Sequence, residues 1–212
     1  LVRESVPDTL DDDDDDNVTE IIGAFNYDFG FINRGTIVGS GFNIGFAAKG
    51  VRIAGSADGT HQTIVEGGVF NGGSMTAASF EADSIALNLG AGASTPQLVN
   101  IGSIVGQTNT ETTHDAYGVR IDAGASLLAV SNTGLISAAV RGYDGDAVAF
   151  QDLSGTVTTF TNGSRITAGY SDDDLTDNIT SGLGRAIALD LSHGSAAVTL
   201  TQTDTVDNTR IP

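Results

Sequence analysis

The sequence contains no cysteine and no tryptophan, and it has one methionine and three prolines among 212 residues. Without cysteine, the chain can be neither a small disulfide-stapled domain nor a thiolate metal protein. It also lacks an apolar run of the roughly 18 residues that a membrane-spanning helix needs, so we expect no such helix in this stretch. Hydrophobic residues make up 40% of the chain and are spread along it, which predicts a thin, elongated core.

Basic residues are equally scarce. The chain has nine of them against 27 acidic residues, Lys49 is the only lysine, and the formal net charge is −18. A protein with this charge repels phosphate backbones and anionic lipid surfaces. We therefore expect neither nucleic acid nor an anionic membrane as a partner.

The most informative feature is an internal repeat of the form N-x-G-x-(I/M/L)-x-(G/A), in which an apolar residue precedes the Asn by two positions. Because side chains alternate between the faces of a strand, the apolar residue, the Asn and the later Ile all point the same way. An Asn at one equivalent corner of every repeat can hydrogen-bond to the next, as in stacked in-register sheets. The pattern predicts a structural ladder of Asn33, Asn71, Asn100, Asn132 and Asn162.

Two further strands recur in each repeat. One has the form (G/A)-(V/I)-x-(L/I/F) and covers 51–53, 85–87, 119–121, 148–150 and 187–189; the other leads into the next Asn at 63–65, 97–99, 128–130, 157–160 and 198–200. Equivalent strands with identical inward patterns favour a solenoid over an antiparallel meander. We predict an all-β fold, a right-handed three-stranded parallel β-helix of about five to six coils.

The repeats also define the domain organisation. The run Asp11–Asp16 makes residues 1–17 an acidic segment, which is typical of a flexible linker or tail. Residues 18–212 are predicted to form a single parallel β-helix domain. We expect the chain to be part of a longer protein.

Length variation is concentrated in the loops between the Asn-containing strand and the following strand, and in repeat folds such loops often carry recognition. Tyr117, Tyr143 and Tyr170, with Phe42 and Phe46, are candidates for stacking on sugar rings; packing within the loops is the alternative. The same loops are rich in carboxylates, which suit calcium, or else serve only as a solvated surface. The candidate calcium ligands are Asp144, Asp146, Asp172, Asp173 and Asp174; no other cofactor is expected.

Catalytic signatures are weak. The three histidines, His61, His114 and His193, fall in different repeats, and none lies in a recognisable catalytic motif. Glycoside hydrolysis needs only two carboxylates at a suitable separation, for which Asp144 with Asp172 or Asp173 is the candidate pair. We interpret the chain as a non-enzyme, with a carbohydrate-active β-helix, either a polysaccharide hydrolase or a tailspike-like protein, as the alternative.

The tandem N-x-G-x-I-x-G repeats, each followed by a G-V-x-I strand and a glycine corner, resemble the passenger regions of bacterial autotransporters and haemagglutinin-type surface proteins. The resemblance covers about residues 31–206. It implies an extracellular or cell-surface location on a Gram-negative bacterium and a role in adhesion, aggregation or filament assembly. The partners that it implies are other surface proteins, glycans or copies of the same chain.

Overall fold

The computed structural model describes residues 29–56, 60–142, 144–171, 184–194 and 196–203, and within them it contains strands and no helix. The predicted acidic segment 1–17 lies outside these residues. In chain order, the strands form five rungs and a final strand. The first rung contains β1 (Phe31–Asn33), β2 (Thr36–Ser40) and β3 (Ala48–Ile53), and the second contains β4 (Thr63–Ile64), β5 (Val69–Asn71), β6 (Ser74–Phe80) and β7 (Ser84–Leu89). The third rung contains β8 (Ala93–Asn100), β9 (Ser103–Thr110) and β10 (Ala116–Ile121), and the fourth contains β11 (Ser126–Asn132), β12 (Leu135–Gly142) and β13 (Ala147–Asp152). The fifth rung contains β14 (Thr159–Asn162), β15 (Arg165–Ser171) and β16 (Ala186–Asp190), and β17 (Thr199–Gln202) is the final strand.

The strands stack into three parallel sheets. Sheet 1 runs β1-β5-β8-β11-β14-β17, with β4 also paired to β8; sheet 2 runs β2-β6-β9-β12-β15; and sheet 3 runs β3-β7-β10-β13-β16. The predicted all-β, three-stranded parallel solenoid is thereby confirmed. The described strands span about four turns, since the five strands of sheet 2, like those of sheet 3, are joined by four connections. This is slightly fewer than the five to six coils predicted.

Inward-facing columns of side chains from all three sheets build the core. Sheet 3, for example, contributes Val51, Leu87, Val119, Phe150 and Leu189, which are paired in register. All but Leu189 are buried, and the Phe150 ring packs edge-on against Phe160 of sheet 1 at 4.9 Å. The core is therefore thin and continuous along the solenoid axis, as the spread of apolar residues predicts.

The register of sheet 3 differs from the one suggested by the repeat pattern. The pattern placed Val51 and Val119 level with Ile85, but the structure pairs both with Leu87. Ile85 pairs instead with Lys49 and with Tyr117, on the outer face of the sheet. Ala86 and Leu87 both belong to the core, whereas Ile85 packs in a separate cluster on the outer face. Strict alternation of side chains is therefore interrupted within β7, and apolar alternation in the sequence does not predict this register.

The two ends of the solenoid are less covered than its middle. Residues of β2 in the first rung are exposed or half-buried, whereas inward residues of the equivalent β9 are buried. Leu200 of β17 pairs with the buried Phe160, yet 58% of its surface is exposed. Strand edges and core side chains at both ends of the described part are therefore accessible. No helix in this part is long and apolar enough to cross a membrane.

Candidate functional site

The repeated Asn residues lie at the corner between sheets 1 and 2. Each side-chain amide donates to the carbonyl oxygen of the Asn in the next rung: Asn33 to Asn71 at 2.8 Å, Asn71 to Asn100 at 2.8 Å, Asn100 to Asn132 at 2.7 Å and Asn132 to Asn162 at 2.7 Å. The chain of bonds ends with Asn162 donating to Gln202 at 2.9 Å. All five Asn residues are buried.

Each Asn also hydrogen-bonds to the backbone at its corner. The amide of Asn100, for example, makes a second bond of 3.2 Å to the carbonyl of Leu135, and Asn71 makes the equivalent bond to Ser103. A buried polar group without a partner is destabilising, and here the ladder satisfies both ends of each side chain. We assign these Asn residues a structural role. Residues that bind a partner are therefore expected on the outer surface of the solenoid.

A second, acidic ladder lies at the corner where the chain enters sheet 3. The Oδ1 atom of Asp83 accepts a bond of 3.0 Å from the backbone N–H of Asp115, and the Oδ1 atom of Asp115 accepts one of 2.8 Å from the N–H of Asp146. Asp146 in turn accepts from the backbone N–H of Arg185 and forms an ion pair with its guanidinium. The three carboxylates therefore fix the start of successive strands of sheet 3, and the guanidinium of Arg185 binds the last carboxylate of the ladder.

Neighbouring side chains make further contacts with this acidic ladder. The Tyr117 hydroxyl donates to Asp115 Oδ2 at 2.8 Å, and His114 Nδ1 lies 3.5 Å from Asp83 Oδ1. Burial raises the pKa of Tyr117, and the hydrogen bond and negative charge of Asp115 raise it further. Tyr117 is thus held as a neutral donor, and the carboxylates have structural hydrogen-bond partners.

Glu81 makes a similar corner contact at the end of sheet 2. Its carboxylate accepts from the backbone N–H of Glu111 and from the hydroxyls of Thr110 and Thr112. Partial burial raises the pKa of Glu81, but these hydrogen bonds and the nearby His114 outweigh it and hold the pKa below its ordinary value. Glu81 also has a φ of 47°, a left-handed conformation that ordinary side chains rarely adopt. The carboxylate contacts stabilise this turn.

The structure places the candidate tyrosines in packed positions. Tyr117 is buried on the outer face of sheet 3 between Ile85 and Val148, and the Arg120 guanidinium lies 4.8 Å from its ring centre. Tyr170 is half-buried and donates to the carbonyl of Gly142 at 2.9 Å. Tyr143 lies outside the described residues. Tyr117 therefore belongs to a buried cluster, and Tyr170 packs against the core.

The candidate calcium ligands are only partly described. Asp144 and Asp146 lie in the loop before β13, where Asp146 is engaged by Arg185. Asp172, Asp173 and Asp174 lie outside the described residues, and with them the partner of Asp144 in the carboxylate pair proposed for glycoside hydrolysis. Within the described ranges, no group of three or more His, Asp or Glu side chains has the geometry to hold a metal ion.

Exposed apolar side chains are concentrated in one loop, residues 41–47, which joins β2 to β3. Phe42 is 87% exposed, Ile44 78% and Phe46 62%. The loop is anchored to the next rung, because Gly41 N donates to Ala78 O at 2.8 Å and Gly45 N donates to Phe80 O at 2.9 Å. Exposed clusters of large apolar residues often mark interaction surfaces. We call residues 41–47 the apolar loop.

Sequence reasoning missed both the acidic ladder and the apolar loop. Phe42 and Phe46 were considered for sugar stacking or loop packing, but the structure leaves both side chains open to solvent. A signal for the acidic ladder was available: Asp83, Asp115, Asp146 and Arg185 each precede the outward apolar residue of sheet 3 by two positions. It becomes visible only once the register of sheet 3 is known.

No protein-family model, no curated protein and no solved structure matches this chain.

Proposed function

We propose that this chain is a structural and adhesive module of a bacterial surface or secreted protein, working outside the cell. The observation that carries the proposal is the apolar loop, which exposes three large apolar side chains. Backbone hydrogen bonds anchor this loop to the next rung of the solenoid. A rigid scaffold that presents preorganised apolar side chains loses little conformational entropy when it binds. The expected partners are other surface proteins, glycans or further copies of the chain.

The acidic corner supports a scaffold more than a hydrolase. A glycosidase needs one carboxyl group free to protonate a leaving group and a second free to act on the sugar. The carboxylates of Asp83, Asp115 and Asp146 instead accept backbone hydrogen bonds that start the strands of sheet 3. Carbohydrate-active chemistry remains the alternative proposal, and the acidic ladder does not favour it.

The first test replaces the apolar loop side chains with serine: Phe42→Ser, Ile44→Ser and Phe46→Ser together. If the loop mediates adhesion, bacteria that display the variant should aggregate about tenfold less than bacteria displaying the wild-type chain, because exposed aromatic residues dominate interface energies. Cell settling, followed by turbidity at equal display levels, measures this. The fold should be unchanged, since none of the three side chains contributes to the core.

The matched control is Ile101→Ser with Leu128→Ser, which removes two exposed apolar side chains from other parts of the solenoid. This control should aggregate like the wild type. Equal loss of aggregation in both variants would mean that general surface hydrophobicity is responsible. Unchanged aggregation in the loop variant would refute the proposed role of the apolar loop.

A further inference from the structure

Charge is distributed unevenly along the solenoid. Residues 29–56, which contain the first rung, include three basic residues, Arg34, Lys49 and Arg52, and no acidic residue. The net charge of −18 therefore comes entirely from the rest of the chain. A positive rung at one end of a strongly acidic protein attracts anions, whereas the net negative charge of the rest of the chain repels them.

Two of these cations lie on the outer face of β3, the edge strand of sheet 3. Lys49 and Arg52 are both exposed, and Lys49 Nζ donates only to the neutral side chain of Asn88, at 3.3 Å. In later rungs of the same sheet, Arg120 forms an ion pair with Asp122 at 2.9 Å. Arg185, which directly precedes β16, forms an ion pair with Asp146. Neither Lys49 nor Arg52 has such a partner among the described residues. We call Lys49 and Arg52 the cationic edge.

The chain itself carries a matching anion. The acidic run Asp11–Asp16 precedes the first rung, and Phe29 fixes the point of entry by packing against Phe70 with 5.5 Å between ring centres. The thirteen Cα–Cα steps from Asp16 to Phe29 can span up to about 40 Å when extended, whereas the six-residue strand β3 is only about 20 Å long. The run can therefore reach any point of the first rung.

We propose that the cationic edge is a binding site for the chain's own Asp11–Asp16 run. Tethering gives the run an effective concentration in the millimolar range at this surface. Binding would neutralise the positive rung and place an acidic segment beside the apolar loop, which ends immediately before β3. The attraction is electrostatic between exposed groups, so it weakens as salt is added. This inference concerns a surface separate from the apolar loop and stands independently of the proposed adhesive role.

The only lysine in the sequence provides the test. A zero-length carbodiimide reagent joins a lysine amine to a carboxylate in direct contact, and Lys49 is the only side-chain amine available. In the full chain at low salt, trypsin and mass spectrometry should recover peptide 35–52 joined to peptide 4–34, with fragment ions placing the link in Asp11–Asp16. The yield should fall about tenfold at roughly 0.5 M salt, where the screening length is only a few ångströms.

The matched control moves the amine without changing the number of lysines: Lys49→Arg combined with Arg141→Lys, which places it on an exposed position of sheet 2. Linking to Asp11–Asp16 should be about tenfold lower there, because the effective concentration falls away from the binding site. In a second variant, all six aspartates of Asp11–Asp16 are changed to asparagine. It should lose the link although Lys49 and Arg52 are unchanged.

Three outcomes would overturn the proposal. Absence of a link to Asp11–Asp16 at low salt would show that the run does not contact Lys49. Equal yields from Lys49 and from the relocated lysine would show random encounters. Links found only between chains, in a mixture of ¹⁵N-labelled and unlabelled protein, would show that a second copy is the occupant.

Discussion

Phe150→Ala should be among the most destabilising single substitutions in the solenoid, lowering the free energy of unfolding by about 3–5 kcal/mol. Phe150 is completely buried in the central column of sheet 3, and its ring packs edge-on against Phe160 at 4.9 Å. The substitution removes the aromatic contact and leaves a cavity in a core that is only one side chain deep per sheet. Because each rung packs only on its neighbours, the damage should be centred on the fourth and fifth rungs.

Urea denaturation followed by circular dichroism measures this effect. The matched control is Phe42→Ala, which truncates a side chain that is 87% exposed and should change stability by less than about 0.5 kcal/mol. Similar losses in the two variants would contradict the position of the core. Hydrogen exchange should show the largest loss of protection in β13 and β14, the strands that carry the two rings.

Asn100→Ala should cost about 3 kcal/mol, although the residue is polar and touches no ligand. Asn100 is at the centre of the ladder, where it accepts from Asn71 at 2.8 Å and donates to Asn132 at 2.7 Å. Truncation leaves one buried donor on Asn71 and one buried acceptor on Asn132 without their partners in the ladder. A buried group left in this way costs about 1–3 kcal/mol.

Asn109→Ala is the control for the ladder, because Asn109 belongs to the same rung but lies exposed in β9. It should unfold at nearly the same urea concentration as the wild type, whereas Asn100→Ala should unfold at a clearly lower one. If the two variants were equally stable, the ladder would contribute nothing measurable, and the recurrence of Asn at this corner would need another explanation.

The sequence was sufficient to predict the parallel solenoid, because the same arrangement of polar and apolar residues recurs along the chain. In each of the five rungs, a buried Asn lies at the corner between sheets 1 and 2, and an apolar residue precedes it by two positions. Stacking in register hydrogen-bonds the Asn side chains to one another and buries the apolar residues in one core. The structure shows this register, with Asn33, Asn71, Asn100, Asn132 and Asn162 in one column.

Features without such a constraint could not be predicted in the same way. In sheet 3, large apolar residues stand two positions apart at 85 and 87 and again at 87 and 89, so the shift of two residues was invisible and the acidic ladder was hidden with it. Within the described residues no strand precedes the first rung, and the exposure of Phe42 and Phe46 there is a property of tertiary structure. Apolar composition alone predicts burial at those positions.

The most direct test of the account is a distance along one outer column of sheet 2. Val38, Thr76, Val105, Ser137 and Thr167 are paired in register from the first rung to the fifth, and four steps of about 4.8 Å separate the ends by about 19 Å. Because the chain has no native cysteine, Val38→Cys and Thr167→Cys accept spin labels without further changes. Pulsed electron paramagnetic resonance should give one narrow distribution near 20 Å, allowing for the label arms. A broad distribution, or one centred beyond about 30 Å, would contradict the rigid parallel stack on which the proposed scaffold role depends.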